Sequence, residues 1–240
     1  MKVLKNIVKC PNCGAENPIY RLTCTDCGSY LRERVVNIDF WKTLWRLLYE
    51  PTAAFKKIIF AEHKNFVSVL LLIASIKIIL ISAFVSNYFN IPLFSYSNVF
   101  FVLSILLLVS ILLIFIITYL ITLLNNMLGL LTRFKDNLSI LTFSFIPVII
   151  SLIFLTPIEY AIFGKYWFVH NPSPFLVDYF TAYVLVGIEV LMFLWTILLF
   201  ATGIYVQSKN TFYSIMISII TFAILFASII FLSVNFYIII

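Results

Sequence analysis

Cys10, Cys13, Cys24 and Cys27 are the whole cysteine complement of the chain. They form two knuckles of one design, Cys-Pro-Asn-Cys-Gly and Cys-Thr-Asp-Cys-Gly, with ten residues between the pairs. Two thiolates in each knuckle can converge on one ion while the backbone turns sharply. Gly14 and Gly28 follow where that turn needs an unusual backbone angle. The pattern predicts a structural zinc held tetrahedrally by four sulfurs at about 2.3 Å, with no open position left for chemistry. Two disulfides, or a redox-active set of thiols, are the competing readings. A head of roughly 30 residues cannot bury a self-sufficient core, so the ion is expected to hold it folded.

Lys77 and Glu189 are the second place where residue type points to chemistry. Each lies near the middle of a long apolar run. An isolated charge at the centre of a bilayer costs roughly 3 kcal/mol on insertion scales. Their opposite signs at a shared depth predict an ion pair that makes the first and fourth runs neighbours. A registry pin between helices, an ion or proton relay, and two unpaired groups are the readings this leaves open. Glu159 falls near the outer end of the third run and is expected to reach the interface.

Catalytic motifs are missing from the sequence. There is no His-Glu-x-x-His, no Gly-x-Ser-x-Gly turn, no phosphate-cradling Gly-rich loop and no intramembrane aspartate pair. His63 and His170 are placed on opposite sides of the membrane by the topology below, and His170 reads as a loop residue. An enzyme is not expected.

The elements that must position these groups are membrane helices. The chain is 63% hydrophobic and 11% charged, far from the balance of a soluble domain. Five continuous apolar stretches reach the length a bilayer needs, about 20 residues, at 66–88, 99–124, 138–163, 179–207 and 211–234. Isolated strands could not satisfy their backbone in lipid, so each is read as a helix. Eleven of the 16 basic residues precede the first span. With an inner N-terminus, the inner side collects 14 of the 16, the outer side only Lys165, and Lys77 lies within a span. That asymmetry predicts an N-in, C-out arrangement. The thiol-rich end then faces a reducing compartment, which argues against disulfides. Met1–Lys9 has charges but no apolar core, so the first span is expected to act as an uncleaved anchor.

Three parts result: a zinc-ribbon head at 1–34, a collar at 35–65, and a five-helix domain at 66–240. Within the collar, 38–50 reads as an amphipathic helix at about 100° per residue. Ile38, Phe40, Trp41, Leu44, Trp45, Leu47, Leu48 and Tyr49 share a broad apolar arc, opposite Asp39, Lys42, Thr43, Arg46 and Glu50. Trp41 and Trp45 suit the headgroup boundary, and Lys56, Lys57 and Lys64 are expected near the lipid phosphates. The apolar face can lie on lipid or pack on the bundle. Pro51 starts a new segment. The formal charge of +6 is explained by these anchors, and nucleic acid is not an expected partner, because the aromatics lie opposite the cations.

Leu44-Trp45-Arg46-Leu47-Leu48-Tyr49-Glu50-Pro51-Thr52 with Phe55, Arg133-Phe134-Lys135 before Phe143-Ser144-Phe145-Ile146-Pro147, and the stretch from Trp195 through Gly203 to Thr211 carry a family likeness. From Asp39 onward the chain resembles the Yip (Ypt-interacting protein) family of five-span membrane proteins, in a prokaryotic form with a zinc ribbon in front. The resemblance implies a five-helix domain with a cytoplasmic N-terminus, in a prokaryotic cell (inner) membrane. Eukaryotic relatives bind Rab-type GTPases, but the chain lacks their Asp-Leu-Tyr-Gly-Pro segment, which counts against that partner. The expected role is a non-enzymatic membrane scaffold or adaptor whose zinc head docks a cytoplasmic protein. The alternative is a small transporter or channel using Lys77 and Glu189.

Overall fold

Apolar side chains on every face of a run leave only the backbone to be satisfied, and in hydrocarbon a helix does this within one segment. The computed structural model describes residues 6–88, 99–169 and 172–239. Five of its helical stretches are long and apolar enough to cross a membrane: Val67–Val85, Phe100–Met127, Ile146–Phe163, Tyr179–Ser208 and Thr211–Phe231. The chain is thus an all-α multi-span membrane protein, with an amphipathic helix and a small ribbon-like head before the first span. The loop expected at 90–98 and His170 lie outside the described residues.

The head carries the only strands among the described residues, β1 (Ile7–Lys9) and β2 (Glu16–Pro18), paired antiparallel with Ile7 opposite Pro18. Helices α1 (Phe40–Tyr49) and α2 (Pro51–Phe60) form the collar. The spans are built from α3 (Val67–Tyr88), α4 (Val99–Met127), a broken third helix, α10 (Tyr179–Ser208) and α11 (Thr211–Ile239). The third helix comprises α5 (Phe134–Ser144), α6 (Ile146–Ile150), a π turn at Ser151–Leu155, and α7 (Thr156–Phe163). Short helices α8 (Tyr166–Val169) and α9 (Pro174–Val177) follow it. Two compact units emerge: residues 1–68, 115–144 and 198–219, and residues 69–114, 145–197 and 220–240. Head and collar therefore share a unit with parts of the spanning helices.

In the first unit the collar is set by capping. The Asp39 carboxylate caps α1 by accepting from the Lys42 amide at 3.1 Å. Pro51 opens α2, where its missing N–H costs nothing. The last carbonyls of α2 have no partner inside the helix, and cations supply one. Arg32 Nη2 donates to Phe60 O at 3.1 Å, with its guanidinium 4.3 Å above the Phe60 ring. Lys64 Nζ donates to Ile58 O and, at 3.0 Å, to Ile59 O. Positive charge is favourable at this end of a helix. Gly203 of α10 lets Phe55 and Ile140 approach closely: a Cβ there would meet Ile140 Cγ2 at 2.3 Å.

Two expectations for the collar change. Thr43, assigned to the polar arc of α1, is buried together with Leu47, whereas Trp41 and Trp45 are 70% and 62% exposed. Thr43 and Ala54 of α2 line one pocket, so Thr43 stands on the side of α1 that shares a pocket with its neighbour. Lys56 and Lys57 are exposed. Lys64 turns inward: its side chain is 9% exposed and its Nζ lies 2.9 Å from Asp136 Oδ1.

The part of the third helix from Phe145 onward belongs to the second unit. One continuous kinked span at 138–163 was expected; the helix starts at Phe134 and is interrupted at Phe145 and through the π turn. Pro147 and Pro157 each lack the N–H for an i−4 bond, and the break and the π turn fall just ahead of them. Phe84, Phe163, Trp167 and Phe175 make an aromatic cluster in this unit, with Phe84 and Phe163 ring centroids 5.2 and 5.4 Å from that of Trp167.

Candidate metal centre and buried charge cluster

The two knuckles repeat one backbone turn. Gly14 N donates to Cys10 O at 2.9 Å and Cys10 N to Ala15 O at 2.9 Å. Gly28 N donates to Cys24 O at 3.2 Å and Cys24 N to Ser29 O at 2.9 Å. Gly14 and Gly28 have φ of +74° and +72°, in the left-handed region that a side chain disfavours. The turns gather all four sulfurs within 4.8 Å of one another, with Cys10 and Cys27 Sγ 3.6 Å apart and Cys13 and Cys24 Sγ 3.5 Å apart. All four cysteines are free. Four sulfurs at about 2.3 Å from a tetrahedral centre would stand about 3.8 Å apart, so the donor set fits a single metal ion.

Two residues that sequence reasoning passed over brace this cluster. Asn17 is fully buried: its Oδ1 accepts from Thr25 N at 3.0 Å, and its Nδ2 donates to Ala15 O at 3.0 Å and to Cys24 Sγ at 3.4 Å. One side chain thus ties one knuckle to the other. Ser29 Oγ lies 3.1 Å from Cys10 Sγ and 3.0 Å from Cys27 Sγ. The Ser29 hydroxyl holds the Cys10 and Cys27 thiols below the ordinary value, and the Cys27 and Asp26 amides do the same for Cys24. Cys13 is pushed up to about 12: the Ala15 amide favours its thiolate, but the Cys27 sulfur, desolvation and the remaining two sulfurs together outweigh it. Crowded thiolates repel a further negative charge, and a bound cation is what relieves that repulsion.

The head is fastened within its unit. Asn6 Nδ2 donates to Gln207 O and, at 3.4 Å, to Val206 O near the end of α10. The Arg133 guanidinium lies 4.2 Å over the Tyr20 ring. Arg133 also forms a forked pair with Asp136, Nε to Oδ2 at 2.7 Å and Nη2 to Oδ1 at 3.1 Å. Asp136, 1% exposed, therefore holds both Arg133 and Lys64. Burial lowers Lys64 to about 8, against the opposing pull of Asp136. In the same unit the Tyr213 hydroxyl donates to Asn125 Oδ1, while Asn137 Nδ2 donates to Thr122 Oγ1 at 2.8 Å and to Thr132 Oγ1 at 3.2 Å.

The second cluster lies wholly in the second unit. Lys77 of α3 is 3% exposed; its Nζ pairs with Glu189 Oε1 of α10 and donates to Thr156 Oγ1 at 2.9 Å. Ser151 Oγ stands 3.0 and 3.2 Å from the two Glu189 oxygens. Glu159 does not reach the interface as expected. It is 1% exposed, shares a half-enclosed cavity of about 290 Å³ with Lys77 and Glu189, and interacts with both. Its Oε1 has no hydrogen-bond partner among the described residues. The π turn adds a residue to the helix repeat before Glu159, which rotates the rest of the helix relative to an uninterrupted one. No periodicity read from the sequence could foresee that rotation. Thr156 and Ser151 were likewise missed; both are small polar residues in an apolar run, a signal too common to single out.

Comparison with protein families, with curated proteins and with solved structures gives no match to this chain.

Proposed function

We propose that the chain is a non-enzymatic membrane scaffold that presents a zinc-held head to a cytoplasmic protein partner. The observation that carries this reading is the way the head is mounted. Asn6 and Tyr20 fasten it to α10 and to Arg133, and Arg32 reaches from it to the end of α2. Cys13, Cys27 and Tyr30, the last 71% exposed, stay on the open side. A rigid mount beneath an exposed knuckle suits docking. Four sulfurs select a soft or borderline ion, and zinc is the dication that takes four thiolates tetrahedrally. The excess of basic residues before the first span supports an N-in, C-out arrangement in a cell membrane. It also agrees with the proposed kinship to the Yip family, which rests on the collar and third-span residues quoted above.

Purified full-length protein is expected to contain about one zinc per chain, removable by chelation. Proximity labelling from the N-terminus in living cells is expected to mark a cytoplasmic protein whose labelling falls in Cys10→Ser and Cys27→Ser variants. A labelled set unchanged by those variants, in protein still inserted in the membrane, overturns the scaffold reading.

The second reading, a small transporter, is favoured by one observation: Lys77, Glu159 and Glu189 converge on a single cavity. Flux in proteoliposomes abolished by Glu189→Gln would support it over the scaffold.

A further inference from the structure

The cavity in the second unit combines three ionisable side chains with an aromatic and aliphatic wall that includes Phe84, Trp167 and Phe193. When all three are ionised they sum to a charge of −1. Lys77 is committed, to Glu189 and to Thr156 Oγ1. Glu159 is committed only in part: it is 99% buried, lines the cavity and faces Glu189 and Thr156, but its Oε1 has no hydrogen-bond partner among the described residues. A buried carboxylate oxygen left without a partner is costly, and sites that recognise ligands are where such groups persist.

We propose that this cavity binds an organic cation: an ammonium group on an aryl or alkyl body. The ammonium pairs with Glu159, and the body lies against the aromatic wall. Aromatic faces attract cations as well as apolar surface, which favours an ammonium over a neutral molecule of the same shape. An anion would face two carboxyl groups, and Lys77 is already occupied. The size follows from the volume. A cavity of about 150 Å³ holds benzene, so about 290 Å³ admits a molecule of about a dozen non-hydrogen atoms. The site is independent of the metal-held head and stands whether or not the scaffold reading does.

The test uses the full-length protein in phosphatidylcholine nanodiscs with three radiolabelled probes of one shape: 4-phenylbutylammonium, the neutral 4-phenylbutanol and the anionic 4-phenylbutyrate. The expected result is saturable binding of the ammonium, at least tenfold tighter than either of the others. Glu159→Gln is expected to remove that preference by about tenfold or more, a loss appropriate to one charge-assisted hydrogen bond, while Glu159→Asp retains part of it. Equal binding of the alcohol would make the cavity an apolar or lipid-chain site and overturn the proposal. So would tighter binding of the carboxylate, absence of saturable binding, or a preference untouched in Glu159→Gln. The three-probe series on the unaltered protein decides the matter even if the variants fail to insert.

Discussion

Replacing Lys77 by Met asks how much the buried cluster depends on its one cation. The side chains have similar volume, so the change deletes charge with little effect on packing. Lys77 is 3% exposed and joins Glu189 and Thr156, with Glu159 in the same cavity. Its loss leaves two carboxylates facing each other without a cation. Removing one partner of a buried pair costs about 3–5 kcal/mol. Glu189→Gln should cost less, because Lys77 still has Glu159 beside it. The double variant removes both members of the pair, and its cost should fall short of the sum of the two single costs by about 2 kcal/mol or more. For a chain of this size, 1 kcal/mol moves the thermal midpoint by about 2–4 °C, so Lys77→Met should melt at least about 6 °C lower. The assay is size-exclusion of detergent-solubilised protein after graded heating, on wild type, both singles and the double. A Lys77→Met midpoint within about 2 °C of wild type, or strictly additive effects, would refute the coupling of these helices through the pair.

Gly203→Ala should destabilise by about 1–3 kcal/mol through overpacking, since the new Cβ would meet Ile140 Cγ2 at 2.3 Å; an unchanged midpoint in the same heating assay would show that Ile140 moves freely. Asp136→Asn should cost about 3–5 kcal/mol by leaving Lys64 and Arg133 side by side without their shared carboxylate, and denaturation in mild detergent would measure it. Lys64 should titrate near 8 in the folded protein, against an ordinary value of 10.5. Between those two values the unfolded chain holds a proton that the folded chain has released, so the Lys64 contribution to stability rises with pH across that window and is lost as pH falls through about 8. Stability measured against Lys64→Arg, which stays protonated throughout, should show this divergence, and a titration midpoint near 10.5 by NMR of the labelled lysine would contradict it.

What could be read from the sequence follows from how local each signal is. The five spans were legible because continuous apolarity over bilayer length has only one backbone solution. The cysteine cluster was legible because Cys-x-x-Cys-Gly encodes its own turn. The juxtaposition of Lys77 and Glu189 could be anticipated from depth and sign. Residues whose placement depends on a break in periodicity were not legible. Glu159 is buried beyond a π turn, and Lys64 is held by Asp136, far along the chain, whose carboxylate it meets beside the carbonyls at the end of α2. Thr43 is buried in a pocket that it shares with Ala54 of α2, a contact that helical periodicity within α1 alone does not announce. Asn17 braces the knuckles through two backbone groups and a sulfur, a role no composition or spacing announces.

The account depends most on a membrane body that keeps the cysteine-bearing end inside the cell. Epitope tags before Met1 and after Ile240, probed with protease on intact spheroplasts, test this directly. The expected result is a protected N-terminal tag and a cleaved C-terminal tag, both in the membrane fraction. A cleaved N-terminal tag, or protein recovered in the soluble fraction without detergent, would contradict it.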